Sequence, residues 1–168
     1  GRARMTTAEK WPPTEPILPK RQEANMLAQR TYTRQNEVPG YVSVPRLAVN
    51  VEGEFGEPIL LPENLIVGDL YGEPGDFLCM RVDGPGMSPI LEDGDQVLVD
   101  RRSAPVSAPG LFAVDEGGGL VVKWLAALGD RDRQRYRVWT EECPAAAYIV
   151  SANRIQIFGR VVWAGRLL

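Results

Sequence analysis

Residues 81–100 read RVDGPGMSPILEDGDQVLVD, and the fold class turns on how this stretch is parsed. An apolar run, DFLCMRV at 76–82, leads into it, and QVLVD at 96–100 leads out. Between them stand Gly84, Gly86 and Gly94, Pro85 and Pro89, and the cluster EDGD at 92–95. Residues of these types interrupt regular structure. Asp-Gly is by itself a good hairpin turn, so the stretch predicts two strands joined through a constrained loop and a tight turn. Neither Asp93 nor Asp95 needs a metal to account for its presence.

The same grammar extends outward. GYVSVPRLAV at 40–49 alternates and is punctuated by Pro45, which suits an edge strand. GLFAVD, LVVKWLA, RYRVWT and IQIFGRVVWAGRL are further short runs rich in Val, Ile, Phe and Trp, separated by APG at 108–110, DEGGG at 115–119 and LGDRD at 128–132. Six or more strands at this spacing, with hardly a helix, predict a mainly β domain of coiled sheets or a partly open barrel over residues 41–168. Trp124, Trp139 and Trp163 are expected as core or interface aromatics.

Residues 1–40 differ. Four prolines between Pro12 and Pro19 preclude a long helix or a central strand, so this part is expected to be a linker or arm. A short helix is expected over 21–35. GRARM at the start is either the tail of an upstream domain or an addition ahead of a start at Met5.

Bulk properties narrow the function. The chain has 168 residues, 44% of them hydrophobic and 24% charged, with 19 basic against 22 acidic side chains and a net charge of −3. That is enough chain for a real core, without the cationic surface of a nucleic-acid binder. No run approaches the ~18 apolar residues of a membrane span, and no export segment opens the chain, so a cytoplasmic location away from membranes is expected. Histidine is absent, which removes imidazole ligands and any His-based triad. No metal or cofactor is expected. Cys79 and Cys143 lie in unlike settings and are expected to be buried free thiols.

The order of features is specific. A strand runs into DGPGMSP, a Gly-Asp turn leads to a second strand, Lys123 follows 37 residues beyond Gly86 in LVVKWL, and GRVVW closes at 159–163. Over roughly residues 41–168 this resembles the C-terminal domain of the LexA and lambda-repressor family of self-cleaving transcriptional regulators, a fold shared with signal peptidases. The family motif is Gly-Asp-Ser-Met-x-Pro, then Gly-Asp, an apolar strand and a downstream Lys. Gly84, Met87, Pro89, Gly94, Asp95 and Lys123 fit it.

Two departures matter. Position 85 is Pro where the family has Asp, and position 86 is Gly where the family has the nucleophilic Ser. In the family the hydroxyl attacks a peptide carbonyl while a neutral Lys takes its proton; glycine supplies no nucleophile. Ser88 lies two residues on. In a strand it returns to the same face about 7 Å away, and in a helical turn it points about 200° aside. Its expected role is a capping or turn hydroxyl before Pro89, with a substitute nucleophile working with Lys123 as the alternative. Family members cut a small apolar pair upstream of the motif, whereas here the region 49–58 offers Glu52-Gly53, and a Glu side chain is costly to desolvate in such a cleft.

Lys123 has two readings of its own. On a strand it shares a face with Val121, while Val122 and Trp124 take the other. Burial among these neighbours would lower its pKa as a base requires, whereas an edge-strand Lys would keep a solvated head as a guard against aggregation. The resemblance favours a Lys facing the vestigial site, held by a carboxylate. It further implies a homodimer, for which the apolar IQIFGRVVWAGRLL at 155–168 is the candidate contact, a helix-turn-helix DNA reader ahead of Gly1, and release from DNA through a regulatory protein partner, a ligand or turnover. A stand-alone, antirepressor-like binding module starting at Met5 is the further alternative.

Overall fold

The computed structural model describes residues 38–50, 54–102, 106–129 and 133–168. The arm expected over 1–40, apart from its last three residues, the helix expected over 21–35, and Glu52 and Gly53 lie outside the described residues. Among the described residues nine strands follow in chain order: β1 (Tyr41–Val44), β2 (Ile59–Pro62), β3 (Phe77–Arg81), β4 (Gln96–Asp100), β5 (Gly110–Asp115), β6 (Leu120–Leu128), β7 (Arg135–Trp139), β8 (Tyr148–Ser151) and β9 (Gln156–Gly165). Helical structure among the described residues is confined to short turns, the longest a π-type turn at Asn64–Asp69. No helix there is long and apolar enough to cross a membrane.

β1 and β2 form a two-stranded antiparallel ribbon, and the other seven strands form one antiparallel sheet in the order β3-β4-β9-β5-β6-β7-β8. β3 and β8 are its two ends and do not pair with each other, so no barrel closes. β9 skips register twice, between Val99 and Leu98 of β4 and between Ala113 and Val114 of β5. Each skip is a bulge that bends the strand and coils the sheet. Between these bulges, Gly159 is required for space: a Cβ there would run into the Asp100 carbonyl oxygen.

The continuous apolar text of FLCMR and QVLVD follows from burial on both faces. Phe77 and Leu98 pack with Val44, Leu61 and Ile66 under the β1–β2 ribbon. On the other face, Leu78, Met80, Val97 and Val99 meet Met87, Leu91, Val122 and Phe158. A third cluster, Phe112, Val114, Leu125, Val138 and Ile155, lies on the face of β5–β7 opposite Val122. Met87 and Leu91 therefore act as the plugs by which the 84–95 connection covers the core.

IQIFGRVVWAGRLL, the candidate dimer contact, contains β9, which pairs with β5 over Gln156–Arg160 and with β4 over Arg160–Gly165, so Val161–Gly165 has no ladder partner on its β5 side among the described residues. One expectation changes. The cysteines are both free, but only Cys79 is buried; Cys143 is exposed, just ahead of the Pro144–Ala146 turn. Burial pushes the Cys79 thiol up to about 11, and its sulfur donates to Gln96 Oε1 at 3.1 Å.

Candidate functional site

The β3–β4 ladder continues beyond both strands, with Val82 N–H donating to the Asp95 carbonyl and Gly94 N–H to the Val82 carbonyl, each at 2.8 Å. Residues 83–93 are thereby extruded as a loop. Gly84 turns the chain at φ +81°, and its N–H donates to Asp93 Oδ1 at 2.8 Å. One helical turn follows, closed by Ser88 N–H to the Pro85 carbonyl and Leu91 N–H to the Met87 carbonyl, both 2.9 Å. Met87 points into the core at 3% exposure, while Pro85 and Pro89 face solvent and Ser88-Pro89 is cis.

Gly86 sits where this turn meets the β6–β7 region. Its carbonyl accepts from Glu142 N–H at 3.0 Å, and together with Asn50, Asp83, Met87, Lys123 and Thr140 it lines a cleft of about 150 Å3. Asn50 closes one end. Its Nδ2 donates to the Arg81 carbonyl at 2.6 Å and to Asp83 Oδ2 at 2.9 Å, and its own carbonyl accepts from Leu120 N–H at 3.3 Å. Gly86 has no positive φ, and a Cβ built on it would meet only Thr140 Cγ2, at 3.8 Å. The position accepts a side chain.

Lys123 reaches the cleft from β6, but its ammonium is committed elsewhere. Nζ donates to Glu116 Oε2 at 3.1 Å and to the Tyr148 hydroxyl at 2.8 Å, and that hydroxyl donates in turn to the same Glu116 oxygen. Burial alone pulls its pKa down; the bonds to Tyr148 and Glu116 more than offset this and leave it above the ordinary lysine value of 10.5. The sequence expectation of a pKa lowered by desolvation is therefore reversed, because an anionic partner lies within reach. No Lys123 atom lies within 4 Å of the Cβ position at 86. A serine hydroxyl within proton-transfer reach would put Nζ about 3.5 Å from that Cβ, so the two positions stand too far apart for the reaction as they are.

Ser88 is not among the residues lining the cleft; its Oγ donates to Glu92 Oε1 at 3.0 Å within its own turn. Asp95 is likewise structural. Buried at 2% exposure, it accepts from Glu92 N–H at 2.9 Å and from Arg166 Nε and Nη2, both at 2.7 Å. The Arg166 bonds hold its carboxyl below the usual carboxylate value. Asp93 caps Gly84, and among the described residues no group of three or more acidic or thiol side chains is gathered as metal ligands.

Sequence reasoning missed Glu116, Tyr148, Asn50 and Arg166. Their partners lie 7 to 71 residues away along the chain, and no local pattern marks them. Trp124 and Trp139 stack at 6.0 Å between centroids, and Trp124 Nε1 donates to Glu141 Oε2 at 2.7 Å, fixing the strand end that carries Thr140. No protein-family model matches the sequence, and no curated protein matches it significantly.

Proposed function

We propose that this chain is a pseudo-peptidase domain of the LexA and lambda-repressor type, which serves as the dimerising and regulatory half of a transcriptional regulator and does not cleave itself. DNA would be read by a helix-turn-helix domain outside this chain, since the sequence is net acidic. The proline-rich arm would be the tether, and a homodimer would present two readers to a two-fold operator.

The observation that carries this reading is the convergence of Gly86, Met87, Lys123 and Asn50 on one cleft. Spacing alone had paired Gly86 with Lys123, and Asn50 leads directly into the segment holding Glu52 and Gly53. A glycine where the nucleophile would stand, and a lysine kept as an ammonium by Glu116, give the cleft the layout of a serine–lysine site without either reactive group. The alternative nucleophile, Ser88, is less well supported because its hydroxyl is bound to Glu92.

Prolonged incubation of the purified protein at alkaline pH tests the reading. Intact mass throughout, a dimer by sedimentation and negligible DNA binding at physiological salt are expected. Fragments ending within residues 45–60 would overturn the loss of chemistry, and tight operator binding by this chain alone would overturn the assignment of DNA reading to another domain.

A further inference from the structure

Several stretches of the sheet edge have no ladder partner among the described residues, among them the β5 side of Val161–Gly165 and the outer side of β8. The arginines beside the first are committed. Arg160 Nη2 donates to the Ala108 carbonyl at 2.8 Å and its guanidinium covers the Phe112 ring, while Arg166 is bound to Asp95. Those beside β8 are not. Arg135 and Arg137 of β7 stand opposite Ser151 and Ile149, on the same face of the sheet, and both are exposed. Neither forms an ion pair among the described residues; the Arg137 guanidinium lies over the Trp139 ring, 5.2 Å from its centroid.

The last ladder bond of β8 fixes the direction of its main chain. Ala152 N–H donates to the Gln134 carbonyl at 3.0 Å, so Ala152 faces β7, and strand alternation turns the N–H and C=O groups of Ser151 and Ile149 outward. YIVS carries no charge and no proline and pairs with β7 without a register shift, so this edge lacks the usual guards against strand addition. Ile149 is 58% exposed.

We propose that the β8 edge takes an extended segment of another protein as an added strand, with acidic and apolar residues alternating along it. The inference goes beyond the function proposed above and depends neither on the loss of chemistry nor on the homodimer. The outward groups at 149 and 151 supply the main-chain bonds, and the two faces supply the selection. Side chains of the added strand on the Ile149–Ser151 face stand two strand spacings, about 10 Å, from Arg137 and Arg135, a gap that a Glu and an Arg side chain close between them. Arg135 has only the small Ser151 to cross. Side chains on the other face continue the apolar surface of Tyr148 and Val150. The edge offers donors and acceptors in alternation, which a peptide backbone matches; a phosphate backbone only accepts, and would leave the outward carbonyls unpaired. A second copy would bring its own Arg135 and Arg137 to the same face of the joined sheet, like charge toward like.

Fluorescence anisotropy of the whole chain with a labelled, end-capped peptide of three Glu-Val repeats tests this. Saturable binding is expected, with none for Lys-Val repeats, for the same composition in two blocks, or for oligothymidylate. Ser151→Pro removes an outward N–H and no ladder bond, at a residue whose φ is already −75°, so the fold should keep its Tm while the Kd rises about tenfold or more. Arg135→Glu with Arg137→Glu should abolish binding of the acidic peptide and create binding of the Lys-Val peptide. No binding at about 1 mM peptide, or binding that survives Ser151→Pro or the double charge reversal, overturns the proposal. Oligothymidylate that binds and is lost on charge reversal would make the stripe a nucleic-acid surface, and a dimer that Ser151→Pro dissolves would give the edge to a second copy; either result also overturns it. Each outcome leaves the pseudo-peptidase reading to its own test.

Discussion

Lys123 Nζ lies 3.1 Å from Glu116 Oε2, and the two side chains are only 23% and 25% exposed. This contact ties the β5–β6 turn to β6 and, together with the Tyr148 hydroxyl, holds the lysine above its ordinary pKa. Burial is the largest single influence on Lys123 and acts downward; the Tyr148 and Glu116 bonds together reverse it. Glu116→Gln should therefore lower the Lys123 pKa, read by side-chain NMR titration, since one of the two bonds that oppose burial loses its anionic acceptor. An unchanged titration would show that Glu116 does not set it. The sign for stability follows. A lysine with a raised folded-state pKa contributes stability that is full below its unfolded value of 10.5 and is lost as pH rises through the folded value. Alkaline melting of the native chain should show that loss, and Glu116→Gln should flatten it.

Gly86 and Gly84 are two residues apart and should respond oppositely to alanine. Gly86 has space and an ordinary backbone, so Gly86→Ala should be neutral or stabilising by about 0.5 kcal/mol through the unfolded chain. Gly84, at φ +81°, should lose about 1 kcal/mol as Gly84→Ala. Urea midpoints of the two variants measure the difference. Equal losses would mean that the turn depends on glycine at 86 after all.

The Asp95–Arg166 pair ties the end of β9 to the loop that carries Gly86 and Met87. Arg166→Ala strands a buried carboxylate with only the Glu92 N–H, and should lower the Tm by several degrees near neutral pH. Asp95 has a depressed folded-state pKa, so its contribution is full above the unfolded value of 3.8 and disappears as pH falls through the folded value. The Tm gap between the native chain and Arg166→Ala should therefore close in strong acid, by scanning calorimetry. A gap that persists there would assign the loss to packing of the arginine stem.

How far the sequence could be read depended on the range of the interactions. β3, β4, β5, β6, β7 and β9 all fall on runs whose Val, Ile, Phe and Trp content marks them locally, and the Asp-Gly turn before β4 is equally local. β2 and β8, four residues each, went unread: ILLP ends on proline, and YIVS is too short to show a period. Strand order is not a local property, and so the place of β9 between β4 and β5, each pairing a different half of it, was invisible in its apolar text. In the site, motif spacing brought Gly86 and Lys123 to one cleft, yet the pKa direction at Lys123 depends on Glu116 and Tyr148, which only the folded β5–β8 region brings near.

Restoring the lost chemistry is the most demanding test of the site. Pro85→Asp and Gly86→Ser would rebuild the motif, and Glu52→Ala would supply a small residue at the bond expected to be cut. Gly86→Ser alone should leave the chain intact. The Cβ position at 86 has no lysine atom within 4 Å, and the ammonium is held by Glu116. The triple variant should cleave slowly near Gly53, at a rate that rises with pH toward and beyond 10.5, because only neutral Lys123 can take the hydroxyl proton. Adding Glu116→Gln should move that pH–rate profile to lower pH by freeing the lysine and lowering its pKa. Adding Lys123→Ala should abolish cleavage while leaving the fold intact by circular dichroism. Cleavage that persists without Lys123, or a profile that Glu116→Gln leaves in place, would show that this cleft does not carry the serine–lysine arrangement, and a mass-resolved time course across pH 7 to 11 distinguishes the outcomes.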